Sequence, residues 1–149
     1  MGKSFIVSRN KEVGIGDVFR HEDQLFVITH ILSVLSCDAE GNFEVHVFAQ
    51  EYDKEYEKEY QYGVYQVYTK EYEEMKESYK NTFEYVGKPY ITPEGYCGFV
   101  SNIMSITKEE DKLTMTGIHE TYHPWSEEEM KRAVKKERLS TFKVIDRKD

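Results

Sequence analysis

The sequence predicts an α+β fold: an antiparallel β meander in its first third, a second hairpin around residue 110 and two helices, in one compact domain spanning residues 1–149. Three observations predict it. Alternating apolar runs bounded by Gly, Asn and Asp recur before residue 50 and after residue 97, as half-buried strands do. A helix-capping signature stands at Ser126. The length suits one hydrophobic core rather than two.

Residues 5–8 read as a short strand, followed by a loop holding Gly14 and Gly16. Residues 17–20 and 25–35 read as two further strands separated by the polar group His21-Glu22-Asp23-Gln24. Residues 37–42 form a turn by their Asp, Gly and Asn content, and 43–49 alternate as the next strand. A meander opening on a Gly-Asp turn resembles small SH3-like barrels. Residues 98–107 and 112–120 flank the charged turn Lys108-Glu109-Glu110-Asp111 and form the second hairpin. Over 125–138, Ser126 and Glu129 have capping-box spacing, and Trp125 and Met130 have hydrophobic-staple spacing. Glu127, Glu128 and Glu129 precede Lys131, Arg132, Lys135, Lys136 and Arg138, the order that complements a helix dipole. Residues 141–145 read as a closing strand.

Between residues 51 and 74 the chain runs in fours, with Tyr52, Tyr56, Tyr60, Val64, Tyr68 and Tyr72 at one position of the repeat. A four-residue period fits a winding helical stripe or one face of a strand. Gly63 and the β-prone residues 64–69 oppose one continuous helix, so we expect an irregular or helical start, a strand-like middle and the second helix over residues 70–79. Eight of the twelve tyrosines lie between Tyr52 and Tyr79, interleaved with carboxylates. Tyrosine combines a large rigid surface with one polar group and is enriched in interfaces.

The formal net charge is −8. Residues 1–129 hold 25 acidic and 12 basic side chains, and residues 130–149 hold 8 basic and 3 acidic ones. The acidic body repels phosphates, which disfavours direct nucleic-acid binding and favours a protein partner with a basic surface. No apolar run of about 18 residues exists to span a bilayer. Residues 1–10 lack the apolar core of a signal peptide, and Ile6 stands where N-myristoylation needs Ser or Thr. A cytoplasmic protein without a membrane partner is expected. Cys37 and Cys97 lack CxxC spacing and read as reduced core thiols.

The one string of catalytic form is His119-Glu120-Thr121-Tyr122-His123, the HExxH pattern of zinc metalloproteases. That chemistry needs both histidines one helical turn apart on one face. Pro124 and the strand-like residues before His119 oppose a helix there, so His119 and His123 are weak metal candidates. Gly14-Ile15-Gly16 lacks a third glycine, and no phosphate-loop or hydrolase-elbow pattern occurs. His30 alternates with apolar neighbours as a hydrogen-bonded core histidine would.

No catalytic residue and no cofactor are therefore expected. The leading expectation is a non-enzymatic acidic protein that binds and inhibits another protein, as a phage or mobile-element product acting on a host nucleic-acid or defence enzyme would. Its contact face is Glu51, Tyr52, Asp53, Glu55, Tyr56, Glu57, Glu59 and Tyr60, whose carboxylates stand where phosphates would. The alternative is a small-molecule or nucleotide-binding protein using the aromatic segment with Tyr85, Tyr90, Tyr96 and Phe99. A metal-dependent hydrolase built on His119, Glu120 and His123 is the third.

Overall fold

The computed structural model describes residues 2–10, 12–52, 65–73, 84–110 and 112–146. Eight strands and one helix follow one another along these residues: β1 Gly2–Asn10, β2 Val18–His21, β3 Gln24–Cys37, β4 Asn42–Glu51, β5 Tyr65–Glu73, β6 Pro89–Ile91, β7 Cys97–Glu109, β8 Lys112–Thr121 and α1 Glu127–Asp146. The strands form two antiparallel four-stranded sheets, ordered β1-β4-β3-β2 and β5-β8-β7-β6. The chain divides accordingly into two compact units, Met1–Glu59 with Pro124–Asp149, and Tyr60–His123.

The fold is thus mostly β, and the expectation of two helices is corrected. Residues 70–73, read as the start of a helix, are the end of β5, where Lys70 pairs with Met115 and Tyr72 with Leu113. Helix propensity differs among these residues by only tenths of a kcal/mol. Strand pairing instead satisfies the backbone against β8 and buries Tyr72, which outweighs it. Residues 74–79 lie outside the described residues. Residues 141–145, read as a strand, continue α1 to Asp146, because extending a helix adds one hydrogen bond per residue and needs no partner strand. The SH3-like closed barrel is also corrected, since β1 and β2 occupy opposite edges of their sheet. That sheet is curled all the same, because Phe5 on β1 and Phe19 on β2 bring their rings to 5.0 Å. Among the described residues no helix is long and apolar enough to cross a membrane.

In the first unit, Val7, Ile28, Val45 and Val47 form a core on one face of the sheet, flanked by Phe5, Val13, Phe19 and Phe43. The other face carries Val27, Val18, Leu25 and Tyr52 against Met130, Ala133, Val134 and Trp125. Met130 is fully buried, worth about 1.5–3 kcal/mol of apolar transfer. The helix is fixed at its start. Ser126 N–H donates to Glu129 Oε2 at 2.8 Å, and Glu129 N–H donates to Ser126 Oγ at 3.2 Å, the reciprocal capping box. Buried Gln50 donates through Nε2 to the Trp125 carbonyl and accepts the Trp125 N–H at Oε1.

The second unit repeats the first strand for strand, with the same order and pairing. Gly16 N–H donates to Ile28 O and Ile28 N–H to Asp17 O; Gly87 N–H donates to Val100 O and Val100 N–H to Lys88 O. Both glycines hold positive φ, 98° and 93°, where a side chain would be strained. Tyr52 N–H donates to Leu25 O, and Tyr122 N–H to Cys97 O. Two bulges coincide as well: the β3 register shifts after Ile28 and Ile31, the β7 register after Val100 and Ile103, while a third shift, after Val34, occurs in β3 alone. Thr29 Oγ1 and Ser101 Oγ, each on the unpaired residue of the first bulge, donate to the carbonyls of Phe48 and Ile118. These correspondences equate Thr29-His30-Ile31-Leu32-Ser33-Val34 with Ser101-Asn102-Ile103-Met104-Ser105-Ile106. The connection after the first strand is longer in the second repeat: two residues separate Asn10 from Val13, and ten separate Glu73 from the equivalent Glu84.

Candidate functional site

The shared register allows the interiors to be compared position by position. Phe5, Val7, Val13 and Phe19 of the first repeat correspond to Tyr68, Lys70, Glu84 and Tyr90 of the second, and Val47 and Ala49 correspond to Gly117 and His119. The same scaffold therefore holds an apolar interior in one repeat and a polar, aromatic one in the other.

In the first repeat, the Phe5, Phe19 and Phe26 rings pack with Phe5 edge-on to both others, at 5.0 Å each. The second repeat has Gly98 where the first has Phe26, and a Cβ there would collide with the Glu120 carbonyl oxygen. Its third ring comes instead from His119, which stacks 3.6 Å from Tyr68 and 3.8 Å from Tyr90, at 19° and 18°. Two rings this close and this parallel to one imidazole must lie on its opposite faces. A Cβ on Gly117 would meet two ring carbons and the hydroxyl oxygen of Tyr68 at 3.0 Å, so the missing side chain lets Tyr68 lie against the backbone. The result is a column of Gly117 backbone, Tyr68, His119 and Tyr90.

Glu84 ties this column to charge. Its carboxylate accepts from Lys70 Nζ at 2.9 Å and Lys88 Nζ at 3.1 Å, both at Oε1, and from the Tyr68 hydroxyl at 3.1 Å at Oε2. The Glu84 N–H donates to the Tyr72 hydroxyl at 3.2 Å. The Glu84 side chain is only 8% exposed. Burial pushes its carboxyl up, but the bonds from Lys70 and Lys88 outweigh that and hold it below its usual range. The bond to Glu84 raises Lys70. Burial, and then the Glu84 carboxylate, push the Tyr68 hydroxyl well above its ordinary value, so it stays a donor. Burial lowers His119 against the opposing pull of Glu84, which keeps the imidazole neutral near pH 7. Replacing one partner of such a buried pair is costly, whereas replacing all partners with apolar groups is often neutral or stabilising. By that rule the network is expected to stabilise the repeat no more than the apolar filling of the first repeat would, which makes it a candidate functional site.

Of the residues expected in a partner-binding face, Glu51 and Tyr52 are half-buried, Tyr52 against the α1 cluster. Asp53, Glu55, Tyr56, Glu57, Glu59 and Tyr60 lie outside the described residues. Of the expected ligand aromatics, Tyr90 joins the column, Tyr85 is exposed and Tyr96 is buried. Phe99 follows Gly98 on β7, so it projects from the face opposite Tyr90 and stacks on Tyr122 at 5.1 Å. The four do not share one pocket. His119 lies within β8 and His123 beyond its end, so the HExxH string is not on a helix and the two histidines are not one turn apart. His30 is half-buried, bonds Thr29 Oγ1 at 3.0 Å, and is lowered by burial. Cys97 is buried, its thiol pushed up to about 12 by burial, but Cys37 is exposed rather than in the core.

A second feature lies on the β3–β4 hairpin. No Lys or Arg occurs between Arg20 and Lys54, while Glu22, Asp23, Asp38, Glu40, Glu44, Glu51 and Asp53 do. Near the turn Val34 is 68% and Leu35 49% exposed. Asp38 holds the turn, its carboxylate accepting from the Glu40 and Asn42 amides and from Asn42 Nδ2, bonds that keep it below its usual range. Beside the turn is a hollow of about 550 Å³ lined by Phe43, Cys37, Asp38, Glu44 and Arg9 among others.

No protein-family model, curated protein or solved structure matches the chain.

Proposed function

We propose that the chain is a non-enzymatic binding protein of the cytoplasm that docks onto a basic surface of another protein through its β3–β4 hairpin. The observation supporting this reading is the exposed pair Val34 and Leu35 within a stretch that carries carboxylates and no cation. Apolar contact supplies affinity, and the surrounding charge supplies orientation and fast, salt-sensitive encounter. Carboxylates presented in this way take the place of phosphates on a nucleic-acid-binding surface, so the favoured consequence of docking is inhibition of a nucleic-acid enzyme. By its composition, the tyrosine–glutamate segment beginning at Glu51 is proposed as a second acidic contact for the same partner.

The experiment is affinity capture with mass spectrometry, using wild type, V34S/L35S, E40K/E44K, and a charge reversal at Glu51, Glu55 and Glu59. A stoichiometric complex that weakens with salt and at least tenfold in the two hairpin variants is expected. A partner retained equally by both hairpin variants overturns the hairpin assignment, and loss in the third variant alone moves the surface to the tyrosine–glutamate segment.

A further inference from the structure

We propose that the outer face of the second sheet is a docking site for an amphipathic helix of another protein, one with the apolar stripe and basic flank of α1. The inference concerns the second repeat and does not rest on the hairpin reading.

A helix already occupies the equivalent face of the first repeat. There Val18, Leu25, Val27 and Tyr52 pack against Trp125 and the α1 residues Met130, Ala133 and Val134. The shared register carries those four sheet positions onto Pro89, Cys97, Phe99 and Tyr122. All four remain apolar or aromatic, so this face keeps its helix-binding chemistry where the interior exchanged its own. Yet α1, the one helix among the described residues, belongs to the first unit. The exposures record the difference. Val27 is 0% and Phe48 4% exposed, whereas their counterparts Phe99 and Ile118 are only half-buried and Tyr122 is 39% exposed. Val67, paired with Ile118 and so on the same face, is 71% exposed. An apolar sheet face calls for a covering layer, and an amphipathic helix laid across such residues is a recurring mode of recognition.

Two details describe the helix. Glu120 stands where the first repeat has Gln50, since Phe99 pairs with one and Val27 with the other. Gln50 is buried and grips both the N–H and the carbonyl of Trp125 at the entrance to α1. Glu120 is half-buried and makes no hydrogen bond or ion pair among the described residues. Its carboxylate only accepts, which suits the unpaired N–H groups and the positive dipole end of an incoming helix N-terminus. Residues 60–123 hold ten acidic and six basic side chains, so a basic polar flank is favoured on the helix. Lys131, Arg132, Lys135 and Lys136 give α1 such a flank.

The test uses the full-length, ¹⁵N-labelled protein and, as probe, a synthetic peptide of residues 124–146. Saturable amide shifts at Phe99, Ile118, Glu120 and Tyr122 are expected, and a peptide carrying M130S/V134S binds at least tenfold more weakly. In the protein, Y122A and E120K each weaken binding at least tenfold. V67D, at a side chain too exposed to affect folding, weakens it at least threefold. E120Q, which installs the first repeat's residue, keeps it within about threefold, and V34S/L35S leaves it unchanged. The proposal is overturned by the absence of saturable shifts, or by shifts confined to Val18, Val27 and Tyr52, which report exchange with the resident α1. Binding that survives Y122A, E120K and V67D alike also overturns it. So does peptide-free self-association abolished by V67D, which puts a second copy on the face. Binding seen only after residues 53–60 are replaced by Gly and Ser overturns it too, because the chain's own segment then takes the place of a partner.

Discussion

The two repeats share strand order, register, bulges and turn hydrogen bonds, yet one encloses Phe5, Val7, Val13 and Phe19 and the other Tyr68, Lys70, Glu84 and Tyr90. The scaffold is therefore specified by features the two have in common: a glycine with positive φ before the second strand, a bulged central strand, and paired backbone bonds across the turn. What fills the scaffold is free to differ, provided that each polar group finds partners. The first repeat shows what a stability-driven filling looks like. Measured against it, the second departs toward charge and stacked rings.

The largest effects are expected where the two interiors are each complete in their own way. F26A removes a ring that is 2% exposed and is expected to cost about 3–5 kcal/mol. At the equivalent position G98A adds one methyl against the Glu120 carbonyl of the paired strand and is expected to cost about 3 kcal/mol or more. Site-resolved native-state hydrogen exchange checks both. If G98A were silent, the close approach that separates the two repeats at this position would be wrong.

Smaller effects come from pH. His119 and His30 are both lowered by burial, so the neutral forms stabilise fully above the ordinary histidine value of 6.5. That contribution is lost in both repeats as pH falls below it toward the folded-state values. Glu84 is held below its ordinary 4.5. Its contribution is full above that value and is lost as pH falls through its lower folded-state value, in the second repeat only. Exchange at β4 and β8 amides across an acid titration is expected to rise through the histidine range in both repeats and then to diverge, with β8 less protected, because the lowered carboxyl of the first repeat, Asp38, is fully exposed whereas Glu84 is not. A parallel loss at low pH contradicts the role of Glu84.

Much of the scaffold was legible because its signals are local. Alternation placed β1 to β4, β7 and β8, while β6 fell within a segment read as a loop, and Ser126 with Glu129 placed the start of the helix. The helix-prone composition after Lys70 led instead to a helix that includes residues 70–73, since pairing with β8 is non-local and outweighs propensity. Residues 141–145 resembled a strand through Thr141, Val144 and Ile145, whose small helix penalty is overcome by simple elongation. The site was hidden because its members are far apart in sequence and its core positions changed chemical type, from Val7 to Lys70 and from Val13 to Glu84. Tyr90 was named as one of four loop aromatics, whereas Tyr68, Lys70, Glu84 and Lys88 were not recognised as a group. The available signal was the kinship of residues 29–34 with 101–106, together with the glycines at 16 and 87. Their alignment would have paired Phe19 with Tyr90 and exposed the exchange of an apolar interior for a polar one.

The central claim is that the second repeat keeps its polar interior at the expense of stability. Native-state hydrogen exchange of the β7 and β8 amides in urea tests it most directly, comparing wild type with Y68F/K70V/E84V/K88M, which removes Glu84 together with Tyr68, Lys70 and Lys88 as its partners and installs the first repeat's residues at three equivalent positions. Protection equal to or greater than wild type is predicted, against a loss of about 3–5 kcal/mol for E84V alone, which leaves two cations without their carboxylate. A quadruple variant as unstable as E84V would contradict the account, because the network would then be a structural necessity of the repeat.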